Sequence, residues 1–478
     1  MKRGIKILLF TVSLLATSAC TNEPKKIDEK VIDKYDTNNA ELNNSDDKPF
    51  YLEDCFCDEN KMVVNESGIE GYTDKESYFP GEEIEVFVHS KAEKYNAYFI
   101  HSTQEGEMVK KFTNQKGKEQ NYSECAYKNG YDWEKSFSFK LPENLKSGYY
   151  MISLENRIDE FHIPLIIKSN NPKNSDILIL ASYNTWQAYN EAGGASFYRY
   201  HLGYDCEFNN SMFISFKRPL YNIKGTLYEG GGFEAELAIT HWLEREGIPF
   251  HVISDRDFHF NQYTPDEYKS LMINTHGEYW SKDMYDQIEN YLGKGGSLMY
   301  LSGNGIYWKV TFDGDRMECQ KEFAYHYQDS TKGGTWRSLN RNESRVLGVA
   351  YGYWGYGTFA PYIVVNPDHW IFDGTNVEKG DLIGKSLNRK WASGHETDRR
   401  TTVTPKNAVL LAEGLNKQRI HELGDDSKSK DGGAHLMYYD HEGGGGVYAA
   451  GSITFGGSLL ADSVMSQMTL NVIEKFTK

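Results

Sequence analysis

The stretch YKSLMINTHGEYWSKDMYDQIENYLGKGGSLMYLSGNGIYW, from Tyr268 to Trp308, decides the fold of the larger part of this chain. Residues 270–274 and 297–302 are short apolar runs, and such runs predict two buried strands. Between them, residues 283–292 place their apolar side chains at helical spacing, which predicts an amphipathic helix. The stretch is therefore expected to form a strand, a polar turn, a helix, a second strand and a second polar turn.

The same alternation of strand and helix is predicted upstream, with a strand at residues 176–181, a helix at 233–246 and a strand at 250–254. Strands that alternate with helices are typical of a parallel sheet. We therefore expect residues 175–478 to form an α/β domain with a doubly wound, mostly parallel sheet, similar to the flavodoxin-like and glutamine-amidotransferase folds. Further short strands are expected near residues 409–412, 436–439 and 447–453, and a closing helix at 462–476.

Residues 61–170 follow a different pattern, in which apolar and polar side chains alternate. Ile84, Val86 and Val88 occupy every second position of one such run. A period of two indicates strands that have one buried face, and turn signals separate the successive runs. We expect these residues to form an antiparallel, immunoglobulin-like β-sandwich that precedes the α/β domain.

The amino-terminal segment has the features of an export signal. Basic residues precede an apolar run at residues 7–16 that is too short to span a bilayer permanently, and small residues then lead to Cys20. This order resembles the signal of bacterial lipoproteins, and an ordinary signal peptide is the alternative. We expect residues 1–20 to be a leader, lipid on Cys20 to anchor the chain in the cell envelope, and the polar, charged residues 21–60 to be a solvated tether.

Composition argues against nucleic acid as a partner and does not determine how the cysteines pair. The 478 residues carry a net charge of −16, which should repel nucleic acid. Apart from Cys20 the chain has an odd number of cysteines, which cannot all pair with one another, and their spacing predicts no metal site. These are Cys55, Cys57, Cys125, Cys206 and Cys319.

Polar side chains stand where the predicted parallel strands end. His276 and Glu278 follow the first strand of the opening stretch, and Asn304 follows the second. Ligands bind beyond the carboxyl ends of such strands, so these residues and Glu396 in a later loop are candidate site residues. Each also has a plainer interpretation. His276 and Glu278 could cap the following helix, Gly-Asn-Gly could be a simple turn, and Glu396 could be a structural carboxylate.

Eight motifs, in order, resemble one family, the C-terminal domain of the large subunit of N,N-dimethylformamidase. The resemblance begins near Asp176, and the sandwich also resembles the domain found upstream in such proteins. The motifs are TWQAYNEAGGASFY (185–198), ISFKRPLY (214–221), FEAELAITHWLEREGI (233–248), ISDRDFH (253–259), THGEYWS (275–281), GGSLMYLSGNGIYW (295–308), SGHETDR (393–399) and GGGVYAAGSITFGGSL (444–459).

The resemblance implies an amidohydrolase whose mononuclear Fe(III) is held by two tyrosines and one glutamate. Matching the motifs assigns the glutamate to Glu278 and the tyrosines to Tyr189 and Tyr221. Tyr183 or Tyr198 could replace the first tyrosine. Ferric iron is a hard cation, and anionic oxygens suit it.

The same matching assigns His276, Asn304 and Glu396 to the surrounding pocket, with Glu396 able to relay protons. We therefore expect an exported amidohydrolase that cleaves a small or exposed amide. One alternative is a surface lipoprotein that binds glycan or peptide through the aromatic residues 351–362. Another is a hydrolase that uses Glu278 and Glu396 without metal. The family enzyme has a small partner subunit, whereas the sequence of this chain predicts neither a partner nor an oligomeric state.

Overall fold

The computed structural model describes residues 67–198, 211–221, 232–321, 323–352, 355–387, 390–416 and 432–478. The predicted leader with Cys20 and the predicted tether at 21–60 lie outside these residues. Within the described residues, no helix is both long enough and apolar enough to cross a bilayer.

The first part of the described chain forms two facing sheets. One sheet has the order β1-β3-β6 and the other β2-β8-β7-β4-β5, and every neighbouring pair is antiparallel except β2 with β8. The strands are β1 (Ile69–Thr73), β2 (Ser77–Tyr78), β3 (Glu83–Ser90), β4 (Lys94–His101), β5 (Glu107–Lys116), β6 (Phe137–Lys140), β7 (Gly148–Glu155) and β8 (Glu160–Ile167). A short helix α1 (Ala126–Asn129) follows β5.

The alternation in β3 places its apolar side chains in the core between these sheets. Ile84, Val86 and Val88 are almost fully buried beside Phe99 and Ile152. Burying one such side chain contributes about 1.5–3 kcal/mol relative to leaving it exposed. The strand pattern predicted for this region is confirmed, whereas the proposed boundary at residues 170–175 stays a prediction. All the described residues fall within one compact unit.

The remaining elements are mainly strands. They are β9 (Ile177–Ala181), β10 (Phe213–Ser215), β11 (His251–Ser254), β12 (Ser270–Thr275), β13 (Tyr279–Trp280), β14 (Ser297–Ser302), β15 (Trp308–Asp313), β16 (Arg316–Cys319), β17 (Ala350–Tyr351), β18 (Phe359–Ala360), β19 (Tyr362–Val364), β20 (Leu382–Ile383), β21 (Ser393–Gly394), β22 (Asp398–Arg399), β23 (Val409–Gly414), β24 (His435–Asp440) and β25 (Gly446–Ala449). The helices are α2 (Tyr183–Ala188), α3 (Phe233–Glu246), α4 (Asp255–His259), α5 (Lys282–Gly293), α6 (Ser344–Leu347), α7 (Gly456–Leu459) and α8 (Ser463–Thr477).

The largest sheet is mixed, with the strand order β11-β9-β12-β14-β25-β24-β23-β19-β20. Neighbours from β11 to β25 run parallel, and neighbours from β25 to β20 run antiparallel. The prediction of a doubly wound, mostly parallel α/β sheet of the flavodoxin-like or glutamine-amidotransferase kind is therefore wrong. Mixed and antiparallel sheets dominate the described chain.

The reason lies in the connections after β14. A parallel pair needs a crossover of a dozen or more residues, whereas a short turn joins only antiparallel strands. The chain makes short turns from β15 to β16 and from β24 to β25, and each pair is antiparallel. The opening stretch contains one parallel crossover, through α5, but the later strands β19, β20, β23 and β24 do not continue this pattern.

Successive residues of β12 face opposite sides of the large sheet. Met272 packs in the cluster that contains α3 and α8, while Leu271 and Ile273 pack in the cluster that contains α5. Both faces of the strand are consequently covered, and its carboxyl end opens into a polar turn. The carboxyl ends of β9, β12, β14 and β25 lie at the same edge because these strands are parallel neighbours.

Candidate active site

The site begins where β12 and β14 end side by side. Thr275 is in register with Ser302, and the N–H of Gly303 donates to the carbonyl oxygen of Thr275 over 3.2 Å. The turns after the two strands are thereby joined. A side chain at Gly303 would place its Cβ 2.6 Å from the carbonyl oxygen of Glu396, so only glycine allows the later loop to approach this closely.

Three oxygen-bearing side chains meet beyond these strand ends. The hydroxyl of Tyr189 donates to Oε2 of Glu278 over 2.8 Å, and that of Tyr198 donates to Oε1 over 2.6 Å. The two hydroxyl oxygens are 3.1 Å apart, and the rings stack with centroids 4.3 Å apart. Glu278 is 1% exposed, whereas Tyr198 keeps 41% of its surface exposed although its hydroxyl lies in the cluster. The two phenol hydroxyls therefore donate to the two oxygens of one buried carboxylate.

Neighbouring elements hold this cluster in place. Tyr189 directly follows helix α2, and Thr185 of that helix accepts the backbone N–H of Glu278 through Oγ1 over 3.1 Å. The hydroxyl of Tyr279 donates to that of Tyr198 over 2.7 Å. Hydrogen bonds between residues of the site thus hold helix α2, which follows β9, against the turn after β12.

Burial sets the protonation of this cluster in the absence of a cation. Desolvation, followed by the charge of Glu278, raises the pKa of both Tyr189 and Tyr198 well above the ordinary value. Desolvation likewise raises the pKa of Glu278, although His276 opposes the shift. Two phenols that keep their protons can both donate to the carboxylate. A bound cation would instead lower the pKa of these groups, because it stabilises their deprotonated oxygens.

A second group of polar side chains adjoins the first. Nε2 of His276 lies 3.1 Å from Oε2 of Glu396 and 3.4 Å from Oε2 of Glu278. Nδ2 of Asn304 donates to the same oxygen of Glu396 over 2.9 Å. All four side chains are less than 10% exposed. His276 therefore lies between two carboxylates, in a position to exchange a proton with either.

The protonation of His276 and Glu396 follows from their proximity. Burial alone would lower the pKa of His276, but Glu396 and then Glu278 outweigh it, and the pKa is raised. Burial would raise the pKa of Glu396, but His276 outweighs it, and the pKa is lowered. The two side chains thus favour an imidazolium–carboxylate pair, which holds one proton beside the phenol–carboxylate cluster.

Asp398 braces the turn that carries Asn304. Its carboxylate accepts the backbone N–H of Asn304 over 2.8 Å and the hydroxyl of Tyr300 over 2.5 Å. The hydroxyl oxygen of Tyr300 in turn accepts the N–H of Gly305 over 2.6 Å. Burial raises the pKa of Asp398 to about 7. This carboxyl group positions the turn, whereas Glu396 contacts the side chains of the site.

Unusual backbone conformations cluster around these residues. Thr275, Asn304, Ile306 and His395 have φ values of 47°, 49°, 50° and 66°. Left-handed backbone is costly for side chains branched at Cβ, at about 1–3 kcal/mol for each residue, and persists only where the surrounding structure enforces it. Each of the four lies within two residues of His276, Asn304 or Glu396. Such strain is commonly found at functional sites.

The structure brings five of the six predicted site residues together and leaves one apart. Tyr189, Glu278, His276, Asn304 and Glu396 share the cluster described above. Tyr221 does not join them, because its hydroxyl donates over 2.6 Å to Oε2 of Glu70, a residue of strand β1. The prediction that Tyr221 meets Glu278 is therefore wrong. Its side chain instead links its own loop to the sandwich.

Tyr198 stands where the second tyrosine was expected. The sequence predicts Tyr198 as a replacement for Tyr189, whereas the structure shows the two tyrosines together on Glu278. The other tyrosine considered, Tyr183, stacks on Phe216 and accepts from Gln187, so it takes no direct part in the cluster. Nor does Glu278 cap helix α5, because the N-cap residue is Ser281.

Two further neighbours of the cluster were missed. Tyr279 immediately follows Glu278 in the motif, so its proximity had a signal in the sequence. Lys321 had none. Its Nζ lies 3.3 Å from the ring centroid of Tyr198 and 5.0 Å from that of Trp308, and its charge lowers the pKa of Glu278 in part. A cation held against an aromatic face is stabilised by the ring quadrupole.

The donor set of the first cluster fits a hard cation. Two phenol oxygens and a carboxylate lie within 3.1 Å of one another along their hydrogen bonds. Their deprotonated forms carry three negative charges, the number that balances a trivalent ion. Hard, highly charged ions prefer such oxygen ligands to sulfur. Tyr189, Tyr198 and Glu278 are therefore the side chains that could hold such a cation.

Two of the aromatic residues that the structure describes within 351–362 are buried and do not offer an exposed surface for glycan. Tyr351 is 3% exposed and Tyr362 is fully buried, and both belong to the core. Tyr356 is 38% exposed, and its ring lies beside that of His395.

Comparison with known proteins gives one family. Residues 95–467 match the family described as "N,N-dimethylformamidase beta subunit-like, C-terminal". The N,N-dimethylformamidase beta subunit of an Alcaligenes species is 28% identical over 426 residues, and that of Paracoccus aminophilus is 27% identical over 424 residues. Each alignment covers 72% of this chain and 54% of the relative. The chain thus spans about half the length of these curated relatives.

The family match begins at residue 95, in strand β4, and so includes most of the sandwich strands as well as the mixed sheet. Among solved structures, Escherichia coli alpha-2-macroglobulin activated by porcine elastase is 13% identical, covers 21% of this chain and 8% of that chain, and has a TM-score of 0.15.

Proposed function

The chain belongs to the N,N-dimethylformamidase beta subunit-like family, and on that premise we propose that it hydrolyses a small or exposed amide at the cluster around Glu278. The observation that carries the proposal is the meeting of Tyr189, Tyr198 and Glu278. Two phenols on one buried carboxylate, next to a histidine between two carboxylates, supply both a cation site and a proton relay. We further propose that the cation is Fe(III).

The three oxygen ligands support the ferric assignment through their charge and hardness. When bound, a ferric ion would polarise the amide carbonyl and acidify water. The low exposure of Glu278 limits competition from bulk water, and the electrostatic interactions within the site are correspondingly stronger. Tyr198 would close the solvent side of the site, because it is the most exposed of the three ligands.

The remaining side chains of the site would move protons and orient the reactants. Hydrolysis adds the oxygen of water to the carbonyl carbon and breaks the bond from that carbon to nitrogen. Carboxylate and amine are released, and the nitrogen must gain a proton as it leaves. His276, as an imidazolium, can give its proton to the leaving nitrogen, and Glu396 can accept a proton from water and return it to His276, because the two share a contact of 3.1 Å. This is general acid–base catalysis by an adjacent pair.

A direct test is amide hydrolysis by the purified full chain loaded with Fe(III). Release of amine and carboxylate from acetamide and N-methylacetamide is followed by NMR. We expect turnover that Glu278→Gln lowers by about 100-fold or more, because the variant removes one ligand charge. Glu289→Gln is the matched control. Glu289 is an exposed glutamate of helix α5, and the control should keep the activity of the unmodified chain.

The other outcomes separate the rival functions. Turnover that survives removal of the metal by a chelator would contradict the ferric site and support a hydrolase that uses Glu278 and Glu396 alone. Absence of turnover on these and related simple amides, with iron bound, would contradict the amidohydrolase proposal. Binding of glycan or peptide that is unchanged in Glu278→Gln would then support the surface-binding alternative.

A further inference from the structure

Arg218 is a buried cation that forms no ion pair within the part of the chain that the structure describes. The residue is 1% exposed. Its Nη1 donates to the carbonyl oxygens of Ala192 and Ala195 over 2.9 and 3.1 Å, and its Nη2 donates to that of Gln187 over 2.8 Å. A guanidinium has five N–H groups, so these three contacts do not use them all. Among the described residues, Nε has no acceptor and no acidic side chain pairs with the guanidinium.

This arrangement leaves a positive charge uncompensated in the interior. Desolvation lowers the pKa of Arg218 to about 10, so the guanidinium is still charged at neutral pH. Two buried carboxylates of the sandwich do not neutralise it, because Glu76 pairs with Arg256 over 3.1 Å and Glu70 accepts the hydroxyl of Tyr221. Buried charges in proteins are normally paired with an opposite charge. A small anion from solution would supply the missing one.

The side chain of Arg218 borders a small cavity that has room for such an anion. The cavity has a volume of about 20 Å³, and Gly71 of strand β1 and Tyr183 and Gln187 of helix α2 also line it. A space of this size holds one particle about as large as a water molecule. It therefore suits a halide ion and is too small for phosphate.

Tyr183 brings a second hydrogen-bond donor to this cavity. Its hydroxyl oxygen accepts Nε2 of Gln187 over 3.0 Å, and its own O–H has no acceptor among the described residues. Desolvation raises the pKa of Tyr183, so the phenol keeps its proton. The ring stacks on Phe216, and this packing fixes the position of the hydroxyl. A phenol O–H and a guanidinium N–H are both donors that an anion accepts readily.

We propose that this cavity binds one chloride ion, held by Nε of Arg218 and the hydroxyl of Tyr183. The inference is independent of amide hydrolysis, because the cavity is not part of the phenol–carboxylate cluster. The ion would still support that cluster. Arg218 holds carbonyl groups of residues 187–195, and Tyr189 belongs to this segment. Neutralising the buried charge should therefore stabilise the fold around Tyr189.

The direct test is equilibrium dialysis of the purified full chain against radioactive chloride. Sodium gluconate keeps the ionic strength constant, because gluconate is too large for the cavity. We expect one chloride ion per chain, displaced by bromide. Tyr183→Phe removes one donor and keeps the ring, so it should raise the Kd for chloride by about 10-fold. Tyr150→Phe is the matched control, since Tyr150 also stacks on a phenylalanine, Phe99, but does not line the cavity.

Thermal unfolding gives a second measurement. Chloride in place of gluconate should raise the melting temperature of the unmodified chain by about 2 °C or more, because a ligand that binds only the folded chain stabilises it. Tyr183→Phe should reduce this difference between the two salts. Arg218→Met should abolish it, but the variant also loses three backbone contacts, so Tyr183→Phe carries the test. If Tyr183 were only structural, its variant would melt lower by the same amount in both salts.

Two results would overturn the inference. One is an unmodified chain that retains no chloride displaceable by bromide, as expected if water alone fills the cavity. The other is an unchanged Kd for chloride in Tyr183→Phe, which would place the ion at another site. Either result can occur whether or not the chain hydrolyses amides, so the inference and the proposed function are tested separately.

Discussion

At the scale of single residues, the site depends on a carboxyl group outside the phenol–carboxylate cluster. Asp398 accepts from the backbone of Asn304 and from Tyr300, and is itself fully buried. Removing a buried acceptor leaves its donors unsatisfied, at a cost of about 1–3 kcal/mol for each. The turn that presents Asn304 would then be free to move away from Glu396.

We therefore expect Asp398→Ala to lower kcat/KM for amide hydrolysis by about 10-fold or more, because Asn304 would no longer be held in place beside Glu396. Asp398→Asn keeps one acceptor oxygen and resembles the protonated carboxyl, so it should restore part of the activity. The measurement is kcat/KM below the melting transition of each variant. If Asp398→Ala lowered the melting temperature and left kcat/KM of the folded protein unchanged, Asp398 would be structural only.

Some of these residues were predictable and others were not. His276, Glu278 and Asn304 follow directly after β12 and β14, and any parallel pair brings such turns together. Tyr198 and Tyr221 both stand in matching motifs, and the sequence has 34 tyrosines. Which of them reaches Glu278 depends on loops whose paths no local pattern specifies. The partner that takes Tyr221 away, Glu70, is 151 positions distant along the chain.

At the scale of elements, Glu236 of helix α3 anchors the segment that leads to Tyr189. Its Oε1 accepts the N–H of Ser182 and the indole N–H of Trp186, each over 3.0 Å. Its Oε2 accepts the hydroxyl of Tyr149, from strand β7 of the sandwich, over 2.5 Å. One buried carboxyl group thus connects the sandwich, helix α3 and helix α2.

This carboxyl group should make stability depend on pH. Desolvation raises the pKa of Glu236 from 4.5 to about 7 in the folded state. The folded chain then holds this proton more tightly than the unfolded chain, so the stabilisation is complete at low pH and is lost as the pH rises from about 4.5 to about 7. The loss from this one group is about 3 kcal/mol across that window.

Glu236→Gln should flatten this part of the profile, because glutamine does not titrate. The measurement is the free energy of unfolding in urea at several pH values between 4.5 and 7.5, for the variant and the unmodified chain. Glu246→Gln, at the exposed end of the same helix, is the control and should keep the original slope. An unchanged slope in Glu236→Gln would contradict the raised pKa.

The elements of the opening stretch were predicted well, and so were the later strands β23, β24 and β25 and the closing helix α8, whereas the shortest strands were not. Helix α5 and strand β14 lie within one residue of the expected bounds, because their apolar patterns are long and regular. Strands such as β17, β18 and β21 have two residues each and pair only with distant partners. No periodicity can be recognised in two residues. These short strands were therefore missed, and the antiparallel pairing of β23, β24 and β25 was also missed, because the pattern of a strand does not indicate its direction.

At the scale of the whole molecule, the sandwich and the mixed sheet are joined by buried polar contacts. Nζ of Lys168 lies 2.9 Å from Oδ1 of Asp257, and both side chains are less than 5% exposed. Breaking a buried pair of this kind is strongly destabilising, since the remaining charge is left without compensation. The family match that begins within the sandwich agrees with this close association.

The central claim is that Tyr189, Tyr198 and Glu278 bind Fe(III), and the visible absorption spectrum of the purified full chain tests it most directly. With iron bound, charge transfer from phenolate to Fe(III) should colour the protein. Tyr198→Phe should remove or shift that absorption band and lower the iron content, whereas Tyr221→Phe should leave both unchanged. A chain that stays colourless after Fe(III) is added, or a band lost in Tyr221→Phe and kept in Tyr198→Phe, would contradict the claim.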